Sequence, residues 1–101
     1  MRKTGFATIG TSKITEKFLQ AAKEYPEFQY VAAYSRDMKK AEKFAGIHGA
    51  EKAYNSLDML SADPEVEAVY VATPNHMHYE QVMKLLNAGK HVLCEKSLAS
   101  N

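Results

Sequence analysis

Short, nearly continuous apolar runs alternate along this chain with stretches in which apolar residues recur at helical spacing. Phe6-Ala7-Thr8-Ile9 ends at Gly10 and predicts a first strand. Ile14, Phe18, Ala22 and Tyr25 then predict one face of a helix, closed by Tyr25-Pro26. Phe28 to Tyr34, rich in Val, Ala and Tyr, predicts a second strand. Met38, Ala41, Phe44 and Ala45 predict a second helix that ends near Gly46 or Gly49. Lys52-Ala53-Tyr54 predicts a short third strand, and Ser56 a cap for a small helix carrying Leu57 and Leu60. Asp63-Pro64 predicts a turn. Val66 to Ala72 is almost unbroken apolar sequence, as in a strand buried on both faces. His78 to Ala88 predicts a helix with Val82, Leu85 and Leu86 inward and Gly89 as its stop, before a fifth strand at His91 to Cys94.

Strict strand–helix alternation predicts an α/β fold with a doubly wound parallel sheet, strand order 3-2-1-4-5. The 101 residues suffice for one domain, residues 1–101. Ser100 and Asn101 are good helix caps, and a six-stranded sheet needs one more helix and strand, so further chain is expected beyond Asn101. The fifth strand is then an unprotected edge, and self-association is expected.

Composition narrows the field of functions. A net charge of +1 gives no field for nucleic acid or a membrane surface. No stretch approaches the ~20 apolar residues of a membrane span, and the mixed start Met1-Arg2-Lys3-Thr4-Gly5-Phe6 is not a signal peptide. The lone Cys94 excludes an internal disulfide and points to the cytoplasm. Cys94 itself reads as a small core residue, and Lys39-Lys40 as a solvated helix face.

Four turns carry candidate chemistry. Gly10-Thr11-Ser12-Lys13-Ile14-Thr15 stands where a dinucleotide fold wants G-x-G-x-x-G; only the first glycine is kept. Ser12 is small and can donate to phosphate, whereas Thr15 holds the helix slightly further from the sheet. A helix N-terminus there still offers N–H groups and a favourable dipole to an anion. By itself the segment also fits an ordinary strand-to-helix turn. After the second strand, Ser35-Arg36 lies near the expected interval from Gly10; arginine here accommodates the 2′-phosphate of NADP, so NADP is favoured over NAD. Asp37 fits either a ribose ligand or a helix start, and Ser35 either a ligand or a cap. After the fourth strand, Ala72-Thr73-Pro74-Asn75-His76-Met77-His78 lies where open sheets bind ligands, and Thr73 and Asn75 offer hydrogen bonds to ribose or nicotinamide. No Cys, Asp or Glu joins His76 and His78, which argues against a metal. After the fifth strand, Glu95 and Lys96 place a carboxylate beside an ammonium at the same edge, able to tune each other and to hand on a proton. An exposed ion pair has the same spacing.

Together these segments resemble the Gfo/Idh/MocA oxidoreductases, relatives of glucose–fructose oxidoreductase and inositol 2-dehydrogenase. The resemblance rests on residues 6–14, on Ala68-Val69-Tyr70-Val71-Ala72-Thr73-Pro74-Asn75 with His78, and on residues 88–97. It implies an N-terminal NAD(P)-binding domain followed by an α/β domain for a sugar, polyol or related hydroxyl compound. It implies hydride transfer between a carbinol carbon and nicotinamide. It further implies that Gly10, Thr11, Ser12, Lys13 and Ile14 hold the pyrophosphate, and that Ser35 and Arg36 meet the adenosine ribose. Ala72, Thr73, Pro74, Asn75 and His78 would then line the cofactor cleft. Glu95-Lys96 matches the family's Glu-Lys-Pro, with Lys96 near the nicotinamide and the substrate hydroxyl as the catalytic residue. The chain departs from the pattern in carrying Ser12 for the second glycine and Ser97 for the proline. With Thr15, these departures also fit a non-catalytic nucleotide-sensing or partner-binding module on the same fold.

Overall fold

The computed structural model describes residues 3–10, 13–72 and 75–94, with the backbone alone for 75–78. Five strands and four helices alternate: β1 (Thr4–Ile9), α1 (Lys13–Ala22), β2 (Phe28–Tyr34), α2 (Met38–His48), β3 (Lys52–Tyr54), α3 (Leu57–Ala62), β4 (Ala68–Val71), α4 (Asn75–Asn87) and β5 (His91–Cys94). The strands form one parallel sheet in the order β3-β2-β1-β4-β5. The strand order therefore reverses between β1 and β4, as expected from the sequence.

Each half of the sheet's winding covers one face. Leu19 and Ala22 of α1 and Phe44 and Ala45 of α2 pack with Phe6 and Ala33. Leu60 of α3 and Leu85 of α4 pack on the other side with Ala7, Ile9, Tyr34, Val69 and Val71. Right-handed crossovers require this division, because the chain winds outward first through β2 and β3 and then through β4 and β5. The register of β2 on β1 slips between Phe6 and Ala7, with Tyr30 and Ala32 as their partners, so Val31 is an extra residue in the ladder.

Local chemistry sets the element ends. Asp37 caps α2 and accepts from the Lys39 amide at 2.9 Å. Gly49 closes α2 in the left-handed region and donates to the Ala45 carbonyl at 2.8 Å. Ser56 caps α3, as expected. Buried Thr8 and the Tyr30 hydroxyl approach to 2.6 Å while Tyr30 stacks on Phe6; burial pushes the Tyr30 pKa up to about 12 against the effect of that hydrogen bond.

Four expectations are corrected. The stripe of α1 that meets the sheet is Thr15, Leu19 and Ala22, one position on from the Ile14–Phe18 line; Ile14 is 37% exposed. Phe18 does meet the sheet as expected: it packs beside that stripe, stacked on Tyr70 of β4 with ring centroids 4.0 Å apart and edge-on to Phe6 of β1. Helix α4 starts at Asn75 rather than His78, and of its inward residues Leu85 is fully buried whereas Leu86 is 49% exposed. Cys94 is exposed and not a core residue: it ends β5, the outer strand among the described residues, where Val92 alone of the strand reaches the core. The fourth strand, expected over residues 66–72, runs as Ala68–Val71; Val66 is buried just ahead of it, and the Glu67 and Ala72 amides extend the hydrogen bonding to β1 at either end.

Candidate functional site

The carboxyl ends of the strands bring three of the four predicted turns to one edge. The Gly10 amide donates to the Tyr34 carbonyl at 3.3 Å, and the Ala72 amide to the Ile9 carbonyl at 2.9 Å. The Ser35 amide donates to the Tyr54 carbonyl at 3.1 Å. Gly10, Ser35 and Ala72 are thus neighbours across β2, β1 and β4. Cys94 pairs with Val71, so β5 ends at the same level, immediately before Glu95. This edge at the β1/β4 reversal is where doubly wound sheets hold their ligands.

Gly10 shows why the turn needs glycine. Its φ is +106°, a conformation that side-chain-bearing residues rarely adopt. A Cβ there would also lie 2.8 Å from the Ala72 carbonyl oxygen. The glycine therefore lets the β1 turn close onto the β4 turn, and the chain then enters a ten-residue helix at Lys13. A glycine strand end followed within three residues by a helix N-terminus is the setting that a pyrophosphate requires, so the described residues fit a dinucleotide. Thr15, at the third glycine's place, is fully buried, and its Oγ1 has no hydrogen-bond partner. The helix accommodates the larger side chain at the cost of an orphaned hydroxyl.

At the end of β2 the two open readings separate. The helix cap is Asp37, not Ser35; the Asp37 amide donates to Ser35 Oγ at 3.3 Å. Ser35 is half-buried, and Arg36, Lys39 and Lys40 are exposed. Lys13 and Ile14 lie exposed in the first turn of α1. Of the remaining predicted residues, Thr11, Ser12, Thr73, Pro74, Glu95 and Lys96 lie outside the described residues. Asn75 and His78 belong to α4, with their side chains outside the description. Desolvation raises the Cys94 thiol pKa, which keeps it protonated and argues against a nucleophile. Among the described residues no group of His, Cys, Asp and Glu is placed to hold a metal, and no helix is long and apolar enough to cross a membrane.

One feature of this edge was beyond sequence reasoning: the Ala72 carbonyl as the neighbour that makes Gly10 obligatory, a contact between turns far apart in the chain. A cleft of about 350 Å³ lies elsewhere, between the C-terminal ends of α1 and α2, with Lys3, Phe28, Tyr30 and His48 on its walls. None of the predicted site residues lines it.

A parallel 3-2-1-4-5 sheet with a glycine turn at its reversal point defines a Rossmann-type dinucleotide-binding domain. Residues 4–101 match the family described as "Oxidoreductase family, NAD-binding Rossmann fold", and the chain belongs to that Gfo/Idh/MocA family. It is 47% identical over 96 residues to the scyllo-inositol 2-dehydrogenase (NADP(+)) IolU of Bacillus subtilis, covering 95% of this chain and 29% of that protein. It is 39% identical over 100 residues to the trans-1,2-dihydrobenzene-1,2-diol dehydrogenase of Xenopus laevis, covering 97% of this chain and 30% of that one. Among solved structures, an NAD binding oxidoreductase from Klebsiella pneumoniae superposes with a TM-score of 0.86 at 36% identity, over 98% of this chain and 28% of that one. The chain thus spans about three tenths of the length of these relatives.

Proposed function

We propose that residues 1–101 are the cofactor-binding domain of an NADP-preferring dehydrogenase acting on a ring carbinol with a neighbouring hydroxyl. The observation that carries this reading is the convergence of Gly10, Ser35 and Ala72 at the sheet's reversal point. The substrate class follows the names of two relatives, an inositol and a trans-1,2-diol dehydrogenase. Gly10 to Ile14 would hold the pyrophosphate, Ser35 and Arg36 the adenosine end, and Ala72, Thr73, Pro74, Asn75 and His78 the cleft toward the nicotinamide. The nicotinamide supplies or accepts the hydride. Lys96 would hold or deliver the proton of the reacting hydroxyl at its Nζ, beside Glu95. The residues completing the substrate pocket would come from a second domain, and the single cysteine suits a reducing cytoplasm.

Separate titrations of NADPH and NADH into the chain, followed by cofactor fluorescence, test the cofactor assignment. NADPH is expected to bind more tightly, and Arg36→Ala to erase the preference. Absence of binding by either nucleotide would defeat the assignment. Among the described residues the outer edge of β5 is unpaired, with Leu93 exposed beside it, which supports self-association of this chain; light scattering should then show a mass that rises with concentration, and a constant monomer mass would exclude it.

A further inference from the structure

We propose that the cleft between the C-terminal ends of α1 and α2 is a second small-molecule site, built for a planar aromatic carboxylate. It lies where β1 and β2 begin, at the opposite edge of the sheet from the cofactor turns, and does not depend on the cofactor reading.

Its walls are aromatic and held by the backbone. Phe6 stacks on Tyr30 with ring centroids 5.0 Å apart, and Phe28 stands edge-on to Phe6 at 6.4 Å. Tyr25 meets Phe28 in turn at 6.0 Å. The Phe28 amide donates to the Tyr25 carbonyl at 3.0 Å, so a tight turn sets these two rings before any ligand arrives. Folding leaves both uncovered, Tyr25 54% and Phe28 44% exposed. Open ring surface beside a cleft of about 350 Å³, a volume within the range of small-molecule sites, favours a flat apolar ligand.

The charged groups on the same walls are cationic. Lys3, just ahead of β1, and Lys23, just after α1, both line the cleft; both are exposed, and among the described residues neither takes part in an ion pair. His48 of α2 lines it too. Its Nε2 is buried and has no hydrogen-bond partner, with Glu16 Oε2 3.5 Å away and not bonded to it. That is an unmet polar group of the kind that a ligand oxygen satisfies. The Tyr30 hydroxyl is already engaged with Thr8 at 2.6 Å, so Tyr30 offers the cleft its ring. Among the described lining residues there is no carboxylate; Glu24 and Glu27 stand on the nearby turn, exposed and off the walls. Two ammonium groups suit an anion, and the rings suit an apolar plane; an aromatic ring bearing a carboxylate meets both demands.

The test titrates 2-naphthoate and its neutral counterpart 2-naphthamide into the isotope-labelled chain and follows amide chemical shifts. Naphthoate should shift the amides of Tyr25, Phe28 and Gly49 saturably, and naphthamide should bind about tenfold more weakly. Lys3→Gln/Lys23→Gln should lower naphthoate affinity about tenfold, to the level of naphthamide, and leave naphthamide within about twofold. Tyr25→Ala should weaken both probes about threefold or more. These substitutions lie at exposed positions, and thermal melts check the fold of each variant. No saturation by naphthoate at about 5 mM, or saturable shifts confined to Gly10, Ser35 and Ala72 at the other edge, would overturn the site. Equal affinity for the two probes, or a preference for naphthoate that survives in the double lysine variant, would overturn the class of ligand. No nucleotide is present, so failure here leaves the cofactor reading standing.

Discussion

Gly5→Ala is expected to destabilise the domain more than any other single-methyl addition at its glycines. An alanine Cβ at this position would lie 2.0 Å from the Glu65 carbonyl oxygen and 2.9 Å from Val31 Cγ2. Neither neighbour is free to move. Glu65 belongs to the loop that enters β4, and that loop is tied down on both sides: the Glu67 amide donates to the Gly5 carbonyl at 2.9 Å, and the Glu65 amide to Asp63 at 2.9 Å. Val31 is the extra residue of the β2 ladder and is buried. Relief must come from opening the β1–β4 contact or the loop itself, so a cost of at least about 3 kcal/mol is expected, at the upper end for overpacking. For a domain of this size that lowers the melting temperature by roughly 12 °C or more. Thermal unfolding followed by circular dichroism reads the effect. A variant melting within about 3 °C of the parent would show that the loop steps back freely.

Gly5 also marks where sequence reasoning stops. The α/β class, the parallel sheet and the order of its strands follow from the alternation of apolar runs with helical spacing, and the structure bears them out. These are local signals joined by one topological rule, the hand of the crossover. Gly10 was legible for the same reason, as the end of an apolar run ahead of a helix. What makes Gly5 obligatory is a carbonyl sixty positions away in the chain, and no local pattern carries that contact.

The α1 stripe shows a different limit. Ile14, Phe18 and Ala22 and Thr15, Leu19 and Ala22 are both helical lines. Apolarity alone favours the first; Phe18 and Ala22 of that line do meet the sheet, yet Thr15 is fully buried where Ile14 is exposed, buried hydroxyl included. Thr15 occupies the place where dinucleotide folds bring helix and strand closest, so the geometry of the turn overrides the preference of the side chain. Leu86 and Cys94 fail for a third reason: both lie at the outer strand, where the core cluster reaches Leu85 and Val92 and goes no further among the described residues. At the candidate site, sequence alone located the turns, while the choice between Ser35 and Asp37 as the cap required the backbone hydrogen bonds.

Asp63 is the second position where a large effect is expected, and it sits at the sheet edge opposite the cofactor turns. From sequence it was half of a turn dipeptide; in the structure it is a buried hub between α3 and β4. Its Oδ2 accepts from Tyr54 at 2.7 Å and from Lys52 at 2.9 Å, both on β3, while Oδ1 accepts from the Glu65 amide. Its backbone carbonyl accepts from Lys90 at 2.7 Å, just ahead of β5. One residue thereby ties the outermost strand of one half of the sheet to the lead-in of the other. Burial opposes ionisation of the carboxyl, but the Tyr54 hydroxyl, the Lys52 ammonium and the Glu65 amide outweigh it and hold the pKa below the usual carboxylate value. Asp63→Ala would strand these donors and is expected to cost about 2–4 kcal/mol. The sign of the pH effect follows from the lowered pKa. The carboxylate's contribution is complete above the unfolded-state value near 3.8 and is lost as the pH falls below it through the folded-state value. Asp63→Asn keeps the shape and removes that titration. Urea midpoints should therefore differ most between the parent and Asp63→Asn near neutral pH and converge as the pH falls through the folded-state pKa of Asp63. A gap that stays constant into acid would mean that the carboxylate's charge contributes nothing, and that Asp63 acts only through its shape and its neutral hydrogen bonds.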